Sequence, residues 1–115
     1  MTQHFRLTIA QLNPTVGDLA GNAALARDAW AQGKAAGADM VALPEMFITG
    51  YSTQDLVNKP AFHLAAMAMI DTLARDCADG PTLAIGGPYA ENDRLYNAYH
   101  ICRGGRVVAR QLKHF

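Results

Sequence analysis

A carboxylate at Glu45 and an ammonium at Lys113 are the groups in this sequence best suited to acting together on a carbonyl carbon. Glu45 sits in the string Val41-Ala42-Leu43-Pro44-Glu45-Met46-Phe47-Ile48-Thr49-Gly50-Tyr51. The apolar residues from Met40 to Leu43 read as a buried strand, which Pro44 ends because it cannot continue a central ladder and pushes Leu43 toward extended backbone. Glu45 is thereby delivered to a strand's carboxyl end, the edge of an open α/β sheet at which ligands bind. A solvated loop glutamate is the plainer reading of the same segment. Lys113 follows the strand-like run 106–112 and so also reaches a strand end. In one cleft the acid could accept a nucleophile's proton while the cation stabilised charge developing on the attacked oxygen. Taken as bare residues, a structural ion pair or two unrelated surface charges are the commoner arrangements.

The elements that must bring these groups together alternate in type. Phe5 to Leu12 reads as a strand covered more on one face, broken by Asn13-Pro14-Thr15-Val16-Gly17-Asp18. An alanine-rich helix is expected from about Asn22, as N-cap, to Ala36, with Gly37 just past its end. With Met40 to Leu43 as the next strand, the order strand, helix, strand implies parallel pairing with a right-handed crossover. Pro60 opens a second helix, 61–77, whose Leu64, Met67, Ala68, Ile70, Leu73 and Ala74 form a wide apolar stripe for packing on a sheet. Met46, Met67 and Met69 read as core filling rather than a binding groove. After the breaker Asp79-Gly80-Pro81, residues 82–86 form a short strand, and runs 95–103 and 106–112 around Gly104-Gly105 form an antiparallel hairpin.

The chain has 115 residues, 50% of them hydrophobic and 17% charged, with a formal net charge of zero. This is the composition of one soluble globular unit. The basic residues Arg103, Arg106, Arg110 and Lys113 are read as strand-edge and turn charges, so no nucleic-acid partner is expected. No apolar run approaches the roughly 20 residues that span a bilayer, and no secretory leader is recognisable, so no membrane partner and a cytoplasmic location are expected. Cys77 and Cys102 are too few for a disulfide framework and read as packed thiols. His4, His63, His100 and His114 lack metal-ligand spacing, and no metal site is expected. Gly86-Gly87-Pro88 lacks the lysine and spacing of a phosphate-binding loop.

The strings 10–18 (Ala-Gln-Leu-Asn-Pro-Thr-Val-Gly-Asp), 43–51 and Leu112-Lys113-His114, taken in order, resemble the nitrilase, or carbon-nitrogen hydrolase, superfamily. Asp55-Leu56, Gly86-Gly87-Pro88 and Leu95-Tyr96-Asn97-Ala98 are most similar to the amidase domain at the N-terminus of glutamine-dependent NAD synthetases. The resemblance implies an α/β fold, the N-terminal part of a four-layer α-β-β-α sandwich, with two helices on one face of a mixed sheet. It implies Glu45 as general base, Lys113 as oxyanion-stabilising cation and Tyr51 as a contact to substrate glutamine. It also implies a nucleophilic cysteine after the lysine, a position that neither Cys77 nor Cys102 matches. Residues 1–115 are therefore expected to be a partial glutaminase domain, inactive alone and dependent for stability on self-association, as a homo-oligomer, or on the rest of the chain. No cofactor is expected in this segment. ATP and Mg, with deamido-NAD as the ammonia acceptor, would belong to a synthetase domain outside it. Another carbon-nitrogen hydrolase of ω-amidase or carbamoylase type, or a non-catalytic binding module, are the rival readings.

Overall fold

Pro and Gly punctuation sets the element boundaries of the chain. A computed structural model describes residues 3–51 and 54–114, without the side chains of Gln54 and Asp55, so the Asp55 side chain named in the resemblance lies outside the described residues. The elements are β1 (Leu7–Ile9), α1 (Leu19–Ala35), β2 (Met40–Ala42), α2 (Gln54–Val57), α3 (Pro60–Asp76), β3 (Thr82–Glu91), β4 (Arg94–Arg103) and β5 (Arg106–His114). The strands form one sheet in sequence order. β1, β2 and β3 are parallel, and β4 and β5 follow as antiparallel hairpin partners. The fold is mixed α/β, as expected, with β1, β2, β3 and β5 all running in one direction.

α1 starts a turn earlier than its sequence suggested. Asp18 is the cap, its Oδ1 accepting from the Gly21 N–H at 3.0 Å. Asn22, the expected cap, is instead buried and fully engaged: Nδ2 donates to the Thr15 and Ile48 carbonyls at 2.8 and 3.0 Å, and Oδ1 accepts from the Thr15 N–H at 2.8 Å. A carboxamide can donate and accept at once, so Asn22 clips the segment before α1 to the segment after β2. Gly37, at φ +79°, ends the helix as expected. α3 opens at Pro60 and closes against Cys77, as read. Of its expected stripe, Ile70, Leu73 and Ala74 are buried, whereas Leu64 and Ala68 are exposed.

Both long helices cover one face of the sheet. Gly33 lets α1 approach β2 so closely that a Cβ there would lie 2.3 Å from Val41 Cγ2, and Gly87 lies under Ile48 and Ile70 in the same way. Val41, Leu83, Ile85 and Cys102 share this face with Ala23, Ala26, Ile70 and Leu73 in the main core cluster. Residues that alternate with these point away from the helices. On β1 that leaves Leu7 and Ile9 48% and 67% exposed, so the outer sheet face is apolar and open. β1 is shorter than the expected 5–12, whereas β3 runs through Pro88 to Glu91. Pro88 is tolerated because its nitrogen faces the β2 side, beyond the point where β2 has ended.

Candidate active site

Glu45 is carried by a turn that is itself core. Phe47, Ile48 and Thr49 are fully buried. Leu43 N–H still bonds the Ala84 carbonyl at 2.8 Å, then Gly86 N–H donates to Pro44 O at 3.2 Å and Ile48 N–H to Gly86 O at 3.1 Å. The turn therefore lies against β3 where a strand would otherwise run. It fits only because position 86 has no side chain: a Cβ there would sit 2.3 Å from the Met46 nitrogen and 2.7 Å from Glu45 Cα. Met46 adopts φ +55°, an uncommon conformation for a long side chain, directly after the acid. From the other side, Asn22 holds the Ile48 carbonyl and the Gly17 N–H donates to Thr49 O at 2.9 Å. Gly50 passes so close to Val16 that a Cβ would come within 2.7 Å of its Cα.

Lys113 reaches the same place along β5. Because β5 runs parallel to β2 and β3, its carboxyl end shares an edge with the Glu45 turn. Which face Lys113 takes is decided by a bulge. Cys102 pairs with Val107 but Ile101 pairs with Ala109, so Val108 is an extra residue. An unbroken ladder from the Arg103–Arg106 pair would set Lys113 opposite Tyr96, on the helix-covered face. The extra residue sets it opposite Asn97, on the open face.

Glu45 and Lys113 converge, with Nζ 3.9 Å from Oε1 and side chains 47% and 68% exposed, Glu45 the lower. So long and solvated a pair contributes well under about 1 kcal/mol, so stability does not account for it. Both residues line an open cleft of about 350 Å³ together with Leu43, Asn97, Tyr99 and Gln111. Asn97 Nδ2 donates to Glu45 Oε1 at 2.5 Å, and Tyr99 OH donates to the Leu43 carbonyl at 2.8 Å, tying β4 to the end of β2. Partial burial raises the Tyr99 hydroxyl's pKa, so it stays a protonated donor. Tyr51 is 67% exposed and is not among the residues lining the cleft. Sequence reasoning assigned no role to Asn97, Tyr99 or Gln111. The signal for them was register: two-residue turns at Asn92-Asp93 and Gly104-Gly105, all at positive φ, fix where β4 lies.

The two cysteines lie elsewhere. Cys77 caps α3 and Cys102 points into the helix-covered core. Burial pushes their thiols up to about 11 and about 12, so neither supplies a thiolate near neutral pH. Gly86-Gly87-Pro88 lies inside β3, with the Glu45 turn over Gly86 and Ile48 over Gly87, and leaves no cradle for a phosphate.

Residues 6–114 match the carbon-nitrogen hydrolase family. The chain is 61% identical over 114 residues to a glutamine-dependent NAD(+) synthetase of Rhodobacter capsulatus, covering 99% of this chain and 21% of that protein. It is 31% identical over 107 residues to one from Thermotoga maritima, covering 92% of this chain and 18% of that protein. Among solved structures, the glutamine-dependent NAD(+) synthetase of Cytophaga hutchinsonii superposes with a TM-score of 0.89 at 29% identity, over 96% of this chain and 19% of that one. An amidase of the nitrilase superfamily from Nesterenkonia AN1 shares the fold, with a TM-score of 0.81 at 24% identity over 96% of this chain and 43% of that one. The chain thus spans about a fifth of the length of the curated relatives it matches.

Proposed function

The chain belongs to the carbon-nitrogen hydrolase family, and on that premise we propose that it forms the N-terminal part of a glutamine-dependent NAD synthetase, in the domain that hydrolyses glutamine. The observation that carries this reading is the convergence of Glu45 and Lys113 on one cleft, in a chain 61% identical to such a synthetase. Glu45 is the general base. It takes the proton of a cysteine thiol, and the thiolate attacks the side-chain amide carbon of glutamine. The Lys113 ammonium stabilises the oxyanion that forms. Collapse of that intermediate expels ammonia once the leaving nitrogen receives the proton, and water activated by Glu45 then cleaves the thioester, giving glutamate and the free thiol.

The thiol is not one of those in this segment, since Cys77 and Cys102 lie on the other side of the sheet. We place it in polypeptide outside these 115 residues, together with the ATP- and Mg-dependent unit that would use the ammonia to amidate deamido-NAD. Tyr51, exposed at the end of the Glu45 turn, contacts glutamine in this reading. The open apolar face around Leu7 and Ile9 is covered by the remaining layers of the sandwich or by a second copy. Among the described residues no helix is long and apolar enough to cross a membrane.

The test uses the full-length polypeptide that carries this segment. Glu45→Gln and Lys113→Met should each lower glutamine-dependent NAD formation by about a thousandfold, while synthesis fed with free ammonia stays near wild type. Retained glutamine-dependent activity in Glu45→Gln would sink the assignment.

A further inference from the structure

Resting on that reading, we propose that Asn97 is a positioning residue that makes the two oxygens of Glu45 inequivalent, holding Oε1 so that Oε2 is the oxygen that receives the proton. The Asn97 Nδ2 donates to Oε1 at 2.5 Å, and Lys113 Nζ lies 3.9 Å from that same oxygen. Among the described residues, no hydrogen bond or ion pair falls on Oε2. A free carboxylate presents two interchangeable oxygens and turns about a broad terminal torsion. A fixed donor at one of them removes that freedom.

Asn97 is fixed by its place in the sheet. It lies in β4 between Pro88 of β3 and Lys113 of β5, hydrogen-bonded strands on either side. The residue type matters as well. A carboxamide donates without titrating and without adding positive charge, so it holds one oxygen of the acid without competing for the proton. With Oε1 occupied, the Lys113 ammonium stays at the margin of ion-pair distance rather than closing onto the carboxylate, and its N–H donors remain free for a substrate oxygen. Asn97 thereby serves both members of the pair.

The experiment compares Asn97→Ala, Asn97→Asp and Asn97→Gln in the full-length polypeptide, by the split of glutaminase kcat against KM and by the 13C chemical shift of the labelled Glu45 carboxyl at one fixed pH. Asn97→Ala should lower kcat on the order of tenfold with KM within about twofold. The Glu45 carboxyl resonance should shift in this variant, because Oε1 has lost its donor. Asn97→Asp should be at least as damaging, since it replaces the donor to Oε1 with a like charge. Asn97→Gln, which keeps a donor, should recover part of the rate and return the carboxyl resonance toward wild type. A fall in kcat with an unmoved carboxyl resonance and no recovery in Asn97→Gln would mean a merely structural contribution and would overturn the proposal. So would a Glu45 carboxyl resonance that is the same in wild type and Asn97→Ala. The carboxyl resonance needs no turnover. It therefore tests the contact even if Glu45→Gln keeps its activity and the broader assignment falls.

Discussion

The turn that carries Glu45 and the strand that carries Lys113 complete one cleft by opposite means. The turn is core: Phe47, Ile48 and Thr49 have no solvent exposure, and backbone from β3, the segment before α1 and the Asn22 side chain all grip it. β5 is an edge strand, exposed along most of its length, held by its ladder to β4 and by contacts beneath it. A base must meet a proton at hydrogen-bond distance and so gains from rigid placement, whereas a long cationic side chain can reach a developing charge from a less constrained backbone. The division of rigidity matches the division of chemistry proposed for the two residues.

The contrast predicts unequal sensitivity to one added methyl group. At Gly86 a Cβ would meet the backbone of Glu45 and Met46 at 2.3 to 2.7 Å, so Gly86→Ala must displace the turn and should cost about 3 kcal/mol or more. At Gly104, in the β4–β5 turn, nothing lies within 4 Å of the added carbon, and only φ +63° opposes it. Gly104→Ala should therefore cost about 1 kcal/mol. Urea denaturation of both variants checks this, and equal costs would break the contrast.

A second prediction concerns what secures β5 from below. His100 is buried on the helix-covered face, with Nε2 3.2 Å from the Gly87 carbonyl. A carbonyl only accepts, so Nε2 carries the hydrogen and Nδ1 is bare. That bare nitrogen accepts from Arg110 Nε of β5 at 3.2 Å, while the guanidinium stacks 4.3 Å over Tyr89. Burial above all, with Arg110 adding to it, lowers the His100 pKa from 6.5 to about 4 despite the opposing bond to Gly87. The unfolded chain thus binds a proton between these values that the folded chain refuses. His100 contributes its full stability above pH 6.5, and this is lost as pH falls toward 4, on the order of 3 kcal/mol across the window. Denaturation midpoints measured from pH 7 to pH 4.5 should fall accordingly, and should fall less in His100→Asn. Equal slopes would show that β5 does not depend on a neutral His100.

What could be read from the chain follows the same line. Pro44, Gly37, Pro60 and Gly104-Gly105 mark boundaries for local reasons, whatever surrounds them: proline fixes φ and lacks an N–H, and glycine readily takes the positive φ found at residues 37, 104 and 105. Those marks sufficed to put Glu45 and Lys113 at strand ends, although the roles proposed for them came from the resemblance and their meeting is seen in the structure. Asn22 was misread as a cap because its partners, Thr15 and Ile48, are supplied by tertiary structure. Asn97 sat in a recognised string, yet its role depends on the register of two hairpins and on a bulge that no local preference announces. The length of β3 was underestimated for a related reason: Pro88 breaks a strand only where a neighbour needs its missing N–H, and β2 has already ended there.

The smallest expected effect concerns the bulge itself. Val108 is the residue without a counterpart in β4, so removing it lets Val107 and Ala109 pair consecutively with Cys102 and Ile101 and leaves Lys113 opposite Asn97. If the bulge matters only through the count of residues that decides which face Lys113 takes, the Val108 deletion should keep the glutaminase activity proposed for the full-length polypeptide within about threefold and its stability within about 1 kcal/mol. Deletions inside an ordinary strand invert every side chain beyond the gap, so tolerance at this position would be diagnostic. A loss beyond about tenfold, with stability unchanged, would instead mean that the local bend and added twist of the bulge aim the lysine. In that case β5 is as closely specified as the Glu45 turn, and the difference drawn between the two supports would disappear.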